Sequence, residues 1–154
     1  MAEELFQSAD RDLEPRLLKA RQAALENPFI LQLKDKDPNF VALLNKKRQC
    51  LLVNSLFFRS QGIEDSAEFL GLRPGELLHC ANTEFNPLGC GTKDLCQYCS
   101  ILGALNKAIN EDRSVEGKAD FLRRDQGTQE LLTFGLQIKP FPIEGEVHFL
   151  LFLR

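Results

Sequence analysis

Apolar and polar positions alternate along this chain with two different periods, and the switch between them sets out its elements. From about Asp10 to Glu26 the apolar residues Leu13, Leu17, Ala20 and Ala24 recur at helical spacing, Leu18 and Leu25 widen the stripe, and Pro15 suits a first turn. Asn27-Pro28 ends that helix, and a short stretch from Phe29 to Leu33 precedes the polar boundary Lys34 to Pro38. The period then shortens. Phe40 to Leu44 and Cys50 to Val53 read as two strands of a hairpin, joined by the turn Asn45-Lys46-Lys47-Arg48. Asn54 is placed to cap a short helix over Ser55 to Phe58. Ile63 to Leu70 and Pro74 to Leu78 read as further short helices, divided by Gly71 and Arg73-Pro74-Gly75. The clearest helix runs from about Tyr98 to Glu111, with Ile101, Leu102, Leu105, Ala108 and Ile109 on one face.

Three strands close the pattern. Val115, Ala119 and Phe121 alternate with charged residues, and after the turn Arg124 to Gly127 the run Leu132, Phe134, Leu136, Ile138 does the same. Pro140 to Gly145 reads as a loop. Val147 to Leu153 is apolar on both faces, as a central or partner-covered strand would be. The order predicts an α+β domain over 37–154, a five-stranded antiparallel sheet with short helices on one face, preceded by an N-terminal helical extension over 1–36.

Composition narrows the function class. The 154 residues carry a net charge of −3, which supplies no basic field for nucleic acid. No apolar run approaches a membrane span, and the acidic start Met1-Ala2-Glu3-Glu4 lacks a signal core, so a cytoplasmic protein is expected. The sequence contains no G-x-x-x-x-G-K-[ST], G-x-S-x-G or H-E-x-x-H pattern, and the expectation is a non-enzyme.

The chemistry concentrates in one loop. Cys80, Cys90, Cys96 and Cys99 fall within twenty residues as C-x9-C-x5-C-x2-C, enough thiols for a tetrahedral thiolate site. In a cytosolic setting so tight a group points to a metal or redox site before a disulfide framework. The spacing predicts Cys96 and Cys99 at the start of the long helix, Cys90 held between Gly89 and Gly91 so that backbone N–H groups can turn toward sulfur, and Cys80 closing the site at the end of a short helix. Zinc sites with four cysteines usually use two C-x2-4-C pairs, and the iron–sulfur run C-x4-C-x2-C differs by one spacer and by the side on which the fourth cysteine lies. Both metals stay open, beside metal-free thiols. Cys50, in an apolar strand, reads as a small core residue, and His79, beside Cys80, as a surface or hydrogen-bonding residue with metal ligation as its alternative. His148 reads as a structural or interface histidine, and Arg73, Lys93, Arg123 and Arg124 as solvated surface.

From about Pro38 onward the chain resembles a PAS domain, on the hairpin ending in Val53-Asn54 and the Phe57-Phe58 segment after it. Gly71-Leu72-Arg73-Pro74-Gly75-Glu76, the Gly89-Cys90-Gly91-Thr92 turn and Cys96-x-x-Cys99 resemble a cysteine-bearing branch found in bacterial sensor histidine kinases and related regulators. The resemblance implies a sensory module joined to a downstream output domain, since the phosphoacceptor and nucleotide-binding elements of a full kinase are missing from this sequence. Haem-binding relatives usually ligate from the long helix, which here has no histidine.

Three functions follow as expectations: a sensor whose cluster answers to redox state, oxygen or metal supply; a thiol–disulfide enzyme using the Cys96/Cys99 pair; and a partner-binding domain with a structural zinc. A homodimer is expected through the N-terminal helix and the outer sheet face, because the helix stripe and both faces of the last strand, Leu150 and Phe152 included, call for cover.

Overall fold

The computed structural model describes residues 8–54, 66–125 and 127–154. The expected helix over Ser55 to Phe58 and the first three residues of the one over Ile63 to Leu70 lie outside the described residues; within them Ser66–Phe69 forms a single 3-10 turn. Helix α1 spans Glu14–Leu25, with Pro15 in its first turn, and α2 spans Pro28–Lys36. The α1 helix starts four residues later than its periodicity suggests, because Ser8 to Asp12 spend their backbone groups on other parts of the molecule. The Asn27 side chain accepts from the Phe29 and Ile30 N–H groups, so the residue that stops one helix caps the next.

Strands β1 (Phe40–Leu44), β2 (Cys50–Val53), β3 (Val115–Asp125), β4 (Thr128–Ile143) and β5 (Glu146–Leu153) form one antiparallel sheet in the order β2-β1-β5-β4-β3. A bulge at Leu51 lets Leu44 pair with Cys50 and Leu43 with Leu52. The extra residue puts Cys50 and Val53 on the same face although they are three apart. The β4 strand is longer than the alternation indicated. It runs straight through Pro140 and Pro142, which pair with Phe149 and Val147. The two prolines lie two apart, so both lack an N–H on the same side, and beyond Ile138 that side has no β3 residue to receive one.

The β5 strand is central and buried on both faces. On the inner face Phe40, Ala42, Leu44, Phe149, Leu151 and Leu153 meet the helix α4 (Ser100–Glu111) through Ile101, Leu105 and Ala108. On the outer face Val41, Leu43, Leu150 and Phe152 meet Leu17, Ala24 and Ile30 of α1 and α2. Leu17, Ala24 and Ile30 of the N-terminal extension are therefore buried against its own sheet, while Leu13 and Leu18 of the predicted stripe stay exposed. None of the described helices is long and apolar enough to cross a membrane.

Candidate functional site: a cavity lined by four cysteines

At the N-terminal end of α4 the chain makes a series of tight turns, and these bring the cysteine loop back under the inner sheet face. The one-turn helix α3 (Pro74–Leu77) leads into the loop, with Pro74 in its first turn and Glu76 at its third position. Cys80 forms an isolated bridge with Arg123 of β3 and precedes a 3-10 turn over Ala81–Thr83. Cys96 lies in a 3-10 turn, Asp94–Tyr98, and Cys99 is the N-cap of α4, its sulfur accepting from the Leu102 N–H at 3.5 Å. The C-x-x-C pair is thus divided between two elements and does not share the first helical turn. Cys99 has extended backbone at this point, which places the positive end of the helix dipole against its sulfur.

All four sulfur-bearing residues, Cys80, Cys90, Cys96 and Cys99, line one cavity of about 40 Å³, walled by Leu78, Ile101, Leu105 and Phe121 and reached by Arg48. All five cysteines are free thiols. The four are gathered without closing into a ligand set: among the described residues no group of three or more His, Cys, Asp or Glu side chains stands ready to hold a metal ion. Gly75 supplies the floor. A Cβ there would lie 2.9 Å from the Cys90 sulfur and 3.3 Å from Cβ of Cys80, and the Gly75 N–H donates to the Cys90 sulfur at 3.3 Å. Cys50 is fully buried in β2 and does not line the cavity. His79 is exposed with a left-handed backbone, its carbonyl accepting from the Arg124 N–H, and its side chain is not part of the wall.

The glycines beside Cys90 do something different from what their spacing suggested. The Cys90 N–H donates to Glu76 Oε2 at 2.8 Å, not to a sulfur. Gly89 and Gly91 both have positive φ. A Cβ on Gly89 would stand 2.3 Å from Glu76 Oε2, and one on Gly91 would stand 2.8 Å from Arg48 Nη2. They are glycines because an ion pair and a guanidinium lie against the backbone there.

Arg73, expected on the solvated surface, is fully buried. Its guanidinium donates to the carbonyls of Lys47 (3.0 Å), Ser8 (2.8 Å), Asp10 (2.7 Å) and Cys90 (3.2 Å). Arg11 reaches Glu76 through both carboxylate oxygens, at 3.1 and 2.5 Å. Burial works against ionisation of Glu76, but the hydrogen bonds from Arg11 and the Cys90 N–H prevail and hold its carboxyl below the usual range. Burial, reinforced by Arg48 and Arg11, lowers Arg73 to about 10. Burial also pushes the Cys90 thiol up to about 12 and raises Cys80, so both are protonated at neutral pH as metal-free thiols. Arg11 and Arg48 were not singled out by motif, and Arg73, Gly75 and Glu76 were marked only as part of the Gly71–Glu76 segment, with no role in the site. The available signal was Pro-Gly-Glu marking a helix start directly after an arginine, beside a Gly-Cys-Gly turn.

No family model matches the chain, and no curated relative matches it. Solved structures do. The PAS domain of an HTR-like protein from Haloarcula marismortui is 19% identical over 89% of this chain and 98% of its own, with a TM-score of 0.50. A PAS domain from a two-component sensor histidine kinase is 14% identical over 86% of this chain and 98% of its own, also at 0.50. The PAS domain of the fruit-fly ELK potassium channel is 14% identical over 82% and 93%, again at 0.50. The chain has the PAS fold. Neighbours as different as a histidine kinase and a potassium channel share that fold, so it says nothing of the output.

Proposed function

We propose that the chain is a signal-sensing module of a histidine kinase or similar regulator, and that Cys80, Cys90, Cys96 and Cys99 hold a four-thiolate metal centre, an iron–sulfur cluster or a zinc ion. The observation that carries this reading is the gathering of four thiols from four separate short segments onto one cavity beneath a PAS-type sheet. The donor set suits such a group, and so does its cradle: Gly75 leaves the room that any side chain would fill. N–H groups of Gly75 and Leu102 already point at the sulfurs of Cys90 and Cys99. Arg48 and Arg73 add positive charge that compensates thiolate. When bound, the centre supplies a charge whose loss or oxidation changes what the loop can pack against.

The module is non-catalytic in this reading, is cytoplasmic and passes its state to an output domain; the homodimer expected through the N-terminal helix and the outer sheet face loses its ground, because Leu17, Ala24 and Ile30 cover Leu150 and Phe152 within one chain. The second reading, thiol–disulfide exchange by Cys96 and Cys99, leaves Cys80 and Cys90 without a task, because thiols raised by burial are poor nucleophiles.

Anaerobic purification followed by visible absorption and elemental analysis tests the proposal. A brown protein carries iron and sulfide, and a colourless one with about one zinc per chain carries zinc. Metal is expected to fall several-fold in Cys90→Ser and to be retained in Cys50→Ser. Equal loss in both variants, or a metal-free native protein with one reversible Cys96–Cys99 disulfide, overturns the metal centre, and the second result establishes the alternative.

A further inference from the structure

The segment Ser8 to Asp12 lies between the cysteine loop and the β1–β2 turn and is bonded to both. On the loop side, Arg73 bridges the carbonyls of Ser8 and Asp10 to the carbonyl of Cys90. Arg11 of the segment grips Glu76, whose Oε2 in turn holds the Cys90 N–H. Both backbone groups of Cys90 are thus tied, through one intermediary each, to the N-terminal segment. On the turn side, Lys47 pairs with Asp10 and Asp12 at 3.0 and 2.9 Å, and the Asp12 N–H donates to Gln49 at 2.7 Å. Two residues later α1 begins, and α1 packs on the far face of the sheet.

We infer that residues 8–12 form a strap whose seating is set by the conformation of the Cys90 turn, with Arg73 and the Arg11–Glu76 pair as the main couplings beside Arg48, which lines the cavity and donates to the Ser8 carbonyl at 3.1 Å, so that the state of the cysteine cavity is reported to the outer helical layer around the edge of the sheet. The inference rests on the reading of the cavity as a sensing centre, but the mechanical coupling stands on the bonds alone. A guanidinium wholly out of water, bonded to four carbonyls, tolerates little displacement of any one of them, because each bond it loses leaves a buried donor unsatisfied. Movement of the Cys90 carbonyl therefore moves Ser8 and Asp10.

Hydrogen exchange in the full chain tests this in two arms. The first uses metal-free protein. Asn86 clamps the Cys90 turn from within, donating to the Gly89 carbonyl and to Thr92, both at 2.8 Å, and so acts on the turn and not on the strap. Asn86→Ala is expected to raise exchange at residues 86–92 and, about ten-fold, at 8–13. Reciprocally, Arg11→Ala, on a side chain that is 29% exposed, is expected to raise exchange at 86–92. Native-rate exchange at the strap in Asn86→Ala, or at the turn in Arg11→Ala, overturns the coupling.

The second arm adds zinc, or iron and sulfide under anaerobic conditions. Exchange is expected to slow at residues 80–99 and at 8–13 together in the native protein, and to slow less at 8–13 in Arg11→Ala, where Arg73 still joins Cys90 to Ser8 and Asp10. Slowing confined to 80–99 in the native protein overturns the strap and leaves the metal centre standing. No slowing anywhere, with the first arm positive, removes the metal centre and leaves the strap as a mechanical link.

Discussion

The two faces of β5 are both dry, yet they are held by different physics. The outer face offers Leu150 and Phe152 to the apolar stripes of α1 and α2, and its cohesion scales with the apolar area removed from water. The inner face starts the same way, with Phe149 and Leu151 against α4, but toward the cysteine loop it gives way to buried charge: Arg73, Arg48 and the Arg11–Glu76 pair. Apolar packing degrades gradually when one methyl is lost. A buried polar network degrades by whole hydrogen bonds, since each orphaned partner carries its own desolvation cost. The cysteine side of the sheet is the one that fails in steps.

The largest expected effect tests whether the two faces belong to one cooperative unit. Phe149→Ala on the inner face is expected to destabilise by about 3–5 kcal/mol and Ile30→Ala on the outer layer by about 2–5 kcal/mol, each in a single transition followed by urea unfolding. A biphasic melt in which Ile30→Ala shifts only the first step breaks the comparison and makes the helical pair a detachable cap. Next in size is Glu76→Gln, which keeps the shape but removes the charge from four hydrogen bonds, two from Arg11 and one each from the Arg73 and Cys90 N–H groups, for an expected loss of about 1.5–3 kcal/mol. An unchanged midpoint would show that the network is loose enough for water to replace it.

The smallest effect concerns His148, nearly buried at the end of the outer groove, with Nδ1 against the Glu146 carbonyl. Burial, the leading influence, lowers its pKa from the ordinary 6.5. The unfolded chain therefore binds a proton at a pH where the folded chain does not. Stability is fully present above about pH 6.5 and is lost as pH falls from there through the lowered folded value. His148→Gln is expected to flatten that slope. A native melting midpoint that stays constant between pH 7 and 5 would contradict the burial of this ring.

The strands were legible because each reports its own neighbourhood: alternation in β3 and the double apolar face of β5 need no distant information. The cysteine group was legible for the same reason, four thiols in twenty residues. Arg73 was not. Its partners Ser8 and Asp10 lie more than sixty residues away, and an isolated arginine between Leu72 and Pro74 looks like any surface cation. The start of α1 was misplaced by the same network, which draws the backbone of residues 8–12 out of helical bonding. The Leu51 bulge and the passage of β4 through two prolines escaped because both depend on where a neighbouring strand ends. Pairing is a property of two segments, and a period read along one segment does not contain it.

That last point bears on solubility. Among the described residues the β4 strand has one bare edge beyond Ile138, for β3 has already begun opposite that residue. Bare strand edges recruit other chains, and a stretch carrying Phe141 and Ile143 would be a sticky one. Pro140 and Pro142 stand on that edge with no hydrogen to offer, so an approaching strand meets two gaps where its carbonyls would need donors. The same residues that the alternation reads as a loop let the strand continue, and they also guard it against fibril-like stacking with its own kind.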